Sequence, residues 1–177
     1  VIGLWCTAVA RSADTAAGKL PATQPAGSLR VMSFNIRYGT ARDGENAWDR
    51  RREFVAHTIK TYQPDLLGMQ EVLAEQGDYL RQALPDYAYV GGGRDDGKRA
   101  GEASPIMYRK ARFQPLADGQ FWLSDTPEKI ASRGWDAALP RVATWVRLKD
   151  RQTGKTVFFI TRTGITSARP RGLKARR

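Results

Sequence analysis

Two short apolar runs and two helical stripes share the stretch from Leu29 to Leu84. Leu29-Arg30-Val31-Met32-Ser33-Phe34-Asn35 is a β-rich run ending in a polar residue, and it predicts a buried strand. A loop with Gly39 and Gly44 follows. Asn46 then offers a helix N-cap, with Asp49 in the first turn, where a negative charge favours the helix dipole. Phe54, Val55, Thr58, Ile59 and Tyr62 recur at helical spacing, and Pro64 ends the helix. Asp65 to Gln70 reads as a second buried strand, with Glu71 at its end. Leu73, Gly77, Leu80 and Leu84 mark a second helix, closed by Pro85.

The period then shortens. Tyr87–Val90, Ser104–Arg109, Phe113–Leu116 and Gln120–Leu123 read as short strands separated by turn signals, among them Asp118-Gly119. Residues 124–140 form a long loop. Arg141 to Leu148 alternates as a strand should, Asp150 to Gly154 turns the chain, and Thr156–Ile160 returns as the hairpin partner. A β-α-β-α opening followed by hairpins predicts an α/β fold with helices on a mixed sheet. No internal repeat is present.

Length and composition narrow the class. At 177 residues with 41% apolar residues, the chain suits one domain of ordinary size with a real core. No run reaches the ~18 apolar residues of a transmembrane helix. Single residues of two kinds, Cys6 and His57, exclude a disulfide framework, a Cys-rich zinc site and any scheme that needs two histidines. Val1 to Ala10 is apolar and ends in Ala8-Val9-Ala10, a small-x-small pattern like that before a signal-peptidase cut. Residues 1–28 are accordingly expected to be a signal remnant and linker, which places the protein in the periplasm or outside the cell.

The net charge of +11 suggests a nucleic-acid partner, but its distribution does not. Arg162, Arg169, Arg171, Lys174, Arg176 and Arg177 sit in an acid-free tail, and the first 160 residues carry only +5. Gly92, Gly97 and Lys98 nearly spell a phosphate-cradling loop. Arg99 stands where a Ser or Thr should ligate Mg²⁺, so the segment reads as a Gly-rich hairpin loop. His57, in mid-helix beside the core face, reads as a partly buried structural histidine. Trp122, Trp135 and Trp145 read as core fillers in hairpins rather than base-stacking platforms.

Two residues stand out by placement. Asn35 and Glu71 each end an apolar strand in consecutive β-α units, and ligands of open α/β sheets bind at the carboxyl ends of strands. An amide and a carboxylate there offer hard oxygens to Mg²⁺ or Mn²⁺, although strand-end caps have the same composition. The surrounding residues are more specific. Leu29-Arg-Val-Met-Ser-Phe-Asn-Ile36 and Pro64-Asp-Leu-Leu-Gly-Met-Gln-Glu-Val72 are followed by Gly101-Glu-Ala-Ser-Pro-Ile-Met-Tyr108 and Phe121-Trp-Leu-Ser124. Gly134-Trp-Asp-Ala-Ala-Leu-Pro-Arg-Val-Ala-Thr-Trp145 completes the set. In this order they resemble the endonuclease/exonuclease/phosphatase superfamily, the DNase I-like metal-dependent phosphodiesterases and phosphatases, and look like its exported bacterial members.

The resemblance covers residues 29–160 and implies a DNase I-like α/β sandwich, here truncated. It implies that Glu71 ligates the divalent metal and that Asn35 supports the metal site and orients the phosphate or attacking water. Glu102 would buttress a histidine, and Arg141 would contact a phosphate; read from the residues alone, both are also ordinary surface charges. The implied substrate is a phosphoester of a nucleic acid, nucleotide or phospholipid head group, with no stable protein partner. A non-catalytic module that binds anions or nucleic acid through the basic tail is the alternative.

The resemblance stops at Ile160. Family members continue Asn-Thr-His-Trp-Asp-His or a close variant, whereas this chain reads Thr161-Arg-Thr-Gly-Ile-Thr166. Ile-Asn-Thr-His-Trp-Asp-His written ATC AAC ACG CAC TGG GAT CAC, with one A deleted from the second codon, becomes ATC ACA CGC ACT GGG ATC AC. That string encodes Ile160 to Thr166 of this chain. Residues 161–177 are therefore expected to be a frameshifted tail, and the chain to be inactive for want of the motifs that follow in the family.

Overall fold

The computed structural model describes Pro25, residues 27–134 and residues 137–163. The expected signal remnant, Trp135 and most of the basic tail lie outside the described residues.

Strand β1 (Val31–Asn35) leads through a short 3-10 turn at Gly44–Asn46 into helix α1 (Trp48–Tyr62). Strand β2 (Leu66–Gln70), helix α2 (Ala74–Ala83), β3 (Tyr87–Val90) and β4 (Ile106–Arg109) follow. Then come the long strands β5 (Phe113–Trp122), β6 (Val142–Asp150) and β7 (Thr156–Arg162). They form two sheets. The first has the order β1-β2-β4-β3, with β1 and β2 parallel and the remaining pairs antiparallel. The second is the antiparallel meander β5-β6-β7. No helix among the described residues is long and apolar enough to cross a membrane.

Both faces of the first sheet are used, which is why β2 reads as a continuous apolar run. Leu67, Met69 and Met107 face the helices and pack with Val55, Ile59 and Leu80. Leu66, Ile106 and Tyr108 face the second sheet and pack with Phe113, Val146 and Leu148. Gly68 lets the sheets close: a Cβ built there would lie 2.9 Å from the Thr161 Cβ. At the opposite end from Asn35 and Glu71, Arg112 ties the layers together. Its guanidinium bonds Asp65 at the entry to β2 (2.8 Å) and Asp150 at the end of β6 (3.1 Å), with all three side chains buried.

Several expectations need correction. Asn46 does not cap α1; Ala47 holds that position without a side-chain cap, and the Asn46 carbonyl accepts from Arg51 instead. The buried face of α1 is Trp48, Val55, Ala56 and Ile59, whereas Phe54 and Tyr62 are exposed. The stripe runs from Trp48 at steps of seven and four, which leaves Phe54 about 100° off it. His57 is likewise exposed and lies 3.3 Å from Thr61 Oγ1. Asp118-Gly119 does not turn the chain: β5 is one strand with a register shift between Pro115 and Ala117. Gly119 is there for packing, because a Cβ would approach the Trp145 indole to 3.0 Å.

The outer face of the second sheet carries an open apolar patch among charged residues such as Arg147 and Lys149. Phe158 and Ile160 are 68% and 57% exposed, and Phe158 stacks on Trp145. On the first sheet, Val31 of edge strand β1 is also exposed. Three strands face four, and β7 and β1 are edge strands of the two sheets.

Candidate functional site

The parallel pairing of β1 and β2 sets Asn35 opposite Gln70, so Asn35 and Glu71 leave neighbouring strands at the same end. Their side chains meet: Asn35 Nδ2 donates to Glu71 Oε1 at 2.8 Å. The other carboxylate oxygen accepts the Tyr38 N–H at 3.4 Å, and Asn35 Oδ1 accepts the Arg37 N–H at 2.8 Å. Arg37 and Glu71 both adopt left-handed backbone, φ 60° and 61°. That conformation costs a residue with a Cβ roughly 1–2 kcal/mol, and the surrounding hydrogen bonds hold it.

Charge around this pair is mostly positive. Arg37 pairs with Asp43 (3.1 Å), whose hydrogen bond raises the Arg37 pKa while the guanidinium holds the Asp43 carboxyl below its usual range. Arg51 reaches from α1 to the carbonyls of Ile36 and Arg37. Burial lowers its pKa, though not within any physiological range. A groove beside Asn35 is lined by Phe34, Arg37, Asn46, Arg51 and Phe54.

Glu102 approaches from the segment that pairs Ala103 with Val72. Its partner is Arg94 (3.0 Å), a buried arginine whose carbonyl accepts the Trp122 indole N–H at 2.6 Å. Among the described residues no hydrogen bond joins Glu102 to Asn35 or Glu71. Arg141 stands just before β6, its carbonyl accepting the Leu123 N–H at 2.8 Å. The structure thus brings Asn35 and Glu71 into contact and brings Glu102 to Arg94. The near phosphate-loop at Gly92 closes on itself: Gly93, Arg94, Asp95 and Gly97 N–H groups all bond carbonyls between Gly93 and Glu102, so none is free for a phosphate.

Sequence reasoning missed Gln76, Arg51 and Arg94. Gln76 had a visible signal, a polar residue on the apolar stripe of α2. Arg51 and Arg94 had none, because each is one arginine among many.

A hard dication fits this donor set in part. Glu71 supplies an oxygen of the right kind, and Mg²⁺ is commonly held by one or two carboxylates with waters and substrate phosphates completing its shell. Asn35 turns its NH₂ to Glu71 and its oxygen to Arg37, so it orients the carboxylate. No group of three His, Cys, Asp or Glu side chains suited to a metal is gathered among the described residues.

Residues 32–161 match the Endonuclease/Exonuclease/phosphatase family. A solved member of that description from Bacteroides vulgatus is 43% identical, with a TM-score of 0.74 over 76% of this chain and 51% of its own. A mannosyl-6-phosphatase from Bacteroides thetaiotaomicron is 39% identical, with a TM-score of 0.72 over 76% of this chain and 51% of its own. The CCR4-Not complex 3'-5'-exoribonuclease subunit Ccr4 of Mycosarcoma maydis is 32% identical over 106 residues, 49% of this chain and 16% of that protein. The chain spans about half the length of the solved relatives and a smaller share of the curated one.

Proposed function

The chain belongs to the endonuclease/exonuclease/phosphatase family, and from that membership we propose that it carries the first half of a Mg²⁺- or Mn²⁺-dependent phosphoester hydrolase. Phosphoester hydrolysis is the family-level activity, seen in the names of an exoribonuclease and a sugar phosphatase among its relatives. The observation that carries the metal-dependent reading is the Glu71 carboxylate, held at a strand end by the Asn35 amide and the Tyr38 N–H.

In this reading Glu71 holds the cation and Asn35 fixes the angle of the carboxylate. The metal would supply Lewis acidity toward a phosphoryl oxygen. Arg141 contacts the phosphate, where a guanidinium fork matches its oxygens. Glu102, which pairs with Arg94 in this chain, would orient a histidine supplied by the family motif that follows Ile160. The 39% identity to the mannosyl-6-phosphatase makes a sugar phosphomonoester the first substrate class to test.

We further propose that residues from 161 onward are out of frame and that the chain as it stands is inactive. The codon arithmetic supports the frameshift. The exposed apolar residues on the second sheet and on β1 fit a sandwich that another segment would cover. The apolar N-terminus supports export.

The test is to sequence the gene across codons 158–163 and translate the restored frame. Asn-Thr-His-x-Asp-His is expected after Ile160. The restored protein should hydrolyse mannose 6-phosphate or a nitrophenyl phosphodiester with Mg²⁺, and Glu71→Ala should abolish turnover. A sequence that stands with no frame restoring those motifs overturns the frameshift. Metal-independent turnover by the restored protein overturns the assignment of Glu71.

A further inference from the structure

The loop after β1 has an unusual hydrogen-bond account. The Ile36 and Arg37 carbonyls accept from Arg51, and the Arg37 and Tyr38 N–H groups are taken by Asn35 and Glu71. Three further links go to Gln76, in the first turn of α2. Its Nε2 donates to the Arg37 carbonyl at 2.9 Å, and its Oε1 accepts from the Gly39 N–H at 2.9 Å and the Leu73 N–H at 3.0 Å. One amide, fully buried, thus spans the loop after Asn35 and the loop after Glu71. Gly39 makes room for it, since a Cβ there would lie 3.1 Å from the Gln76 Cδ.

A helix cap alone would need only the Leu73 bond. Two of the three bonds go to the other loop, and a buried amide is costly unless satisfied. We propose that Gln76 is a positioning residue: it fixes the separation of the two strand-end loops so that the Asn35 amide and the Tyr38 N–H both reach the Glu71 carboxylate. For metal binding this rests on the reading of Glu71 as a cation ligand; for loop geometry it stands alone.

The test uses the full chain with Gln76→Met, a near-isosteric apolar replacement, and Gln76→Glu. The latter still accepts from Gly39 and Leu73 but, when ionised, has no proton for the Arg37 carbonyl. Three quantities are measured: the Asn35 side-chain NH₂ and Tyr38 amide resonances, Mn²⁺ affinity by electron paramagnetic resonance, and the thermal midpoint. Gln76→Met should shift both sets of resonances and weaken Mn²⁺ binding about 10-fold or more, with Gln76→Glu between it and the parent. Unchanged resonances and Mn²⁺ affinity alongside a lowered midpoint would reduce Gln76 to a core and capping residue, and overturn the proposal. If the parent binds no Mn²⁺, or Glu71→Gln binds it equally, the metal reading fails and the resonances alone decide the role of Gln76. If neither variant folds, amide exchange in the parent decides. Gly39 N–H should then exchange as slowly as Leu80 N–H, and rapid exchange at Gly39 refutes the clamp.

Discussion

Replacing Arg112 by methionine should cost the fold about 3–5 kcal/mol. The guanidinium lies 2.8 Å from Asp65 and 3.1 Å from Asp150, and no side chain of the three exposes more than 7% of its surface. At charge separations of about 4 Å and an effective dielectric near 20, each attraction is about 4 kcal/mol. Desolvating three ions costs several kcal/mol each, so the intact triad nets close to zero. Removing the arginine alone strands two buried carboxylates. For a chain of this size that loss lowers the thermal midpoint by roughly 6–20 °C, and urea unfolding measures it directly. The pH dependence has a definite sign. Burial pushes the Asp150 carboxyl up, but hydrogen bonds from Arg112 and the Gln152 N–H outweigh it and hold the pKa below the usual range. The parent therefore has this stabilisation above about pH 4, the unfolded aspartate value, and loses it as pH falls further. In Arg112→Met the guanidinium's bond and charge are gone, and only the Gln152 N–H and the Thr153 side chain still oppose burial at Asp150, so its pKa rises relative to the parent's and protonation relieves the damage. The gap between parent and variant should be widest near pH 7 and narrow toward acid. Adding Asp65→Asn and Asp150→Asn, which keep acceptors for Arg30 and Gln152, should recover most of it. A loss below about 1 kcal/mol, or a gap that widens in acid, would show that Arg112 does not neutralise the two buried carboxylates.

Gly68→Ala should cost about 1–3 kcal/mol through overpacking against Thr161, and less in a Thr161→Gly background. Purely additive urea-unfolding losses would show that the two do not meet across the sheets. Paired Phe158→Ser and Ile160→Ser changes should reduce light scattering on concentration while leaving the unfolding free energy within about 0.5 kcal/mol; unchanged scattering would clear the outer face of blame. Burial pushes the Tyr89 phenol up to about 12. Its stabilisation is complete below the unfolded value near 10 and is lost between there and pH 12, so Tyr89→Phe should flatten the alkaline stability profile. A profile identical to the parent's counts against the burial.

Strands and helices up to Leu84 were legible because each carries its own period and its own stop, Pro64 and Pro85. The errors came from local signals that tertiary packing overrode. Asp118-Gly119 has turn chemistry, yet the Trp145 indole needs a bare backbone at Gly119, and the strand runs through. Asn46 has cap chemistry, yet it closes the 3-10 turn at Gly44–Asn46 and the helix begins two residues later. At the site, Asn35 and Glu71 were visible as polar ends of apolar runs, and the parallel register brings them together. Which atoms meet was not visible, because that depends on left-handed backbone at Arg37 and Glu71. The clamp by Gln76 joins positions 37 and 39 residues apart, a relation that no periodicity encodes.

The seam between the sheets links Gln70 to Thr161, 91 residues later in the chain. A ribosome delivers the halves of that seam at different times. Every strand of the first sheet has been made by Arg109, while Val146 and Leu148 of β6 come about 40 residues later. At ordinary elongation rates of about 5–20 residues per second, Leu66, Ile106 and Tyr108 wait roughly 2–8 s for that part of their cover. For that interval the nascent chain displays a first sheet with one bare apolar face. Slowing translation between codons 110 and 156 would lengthen the exposure, and the yield of soluble chain would report it.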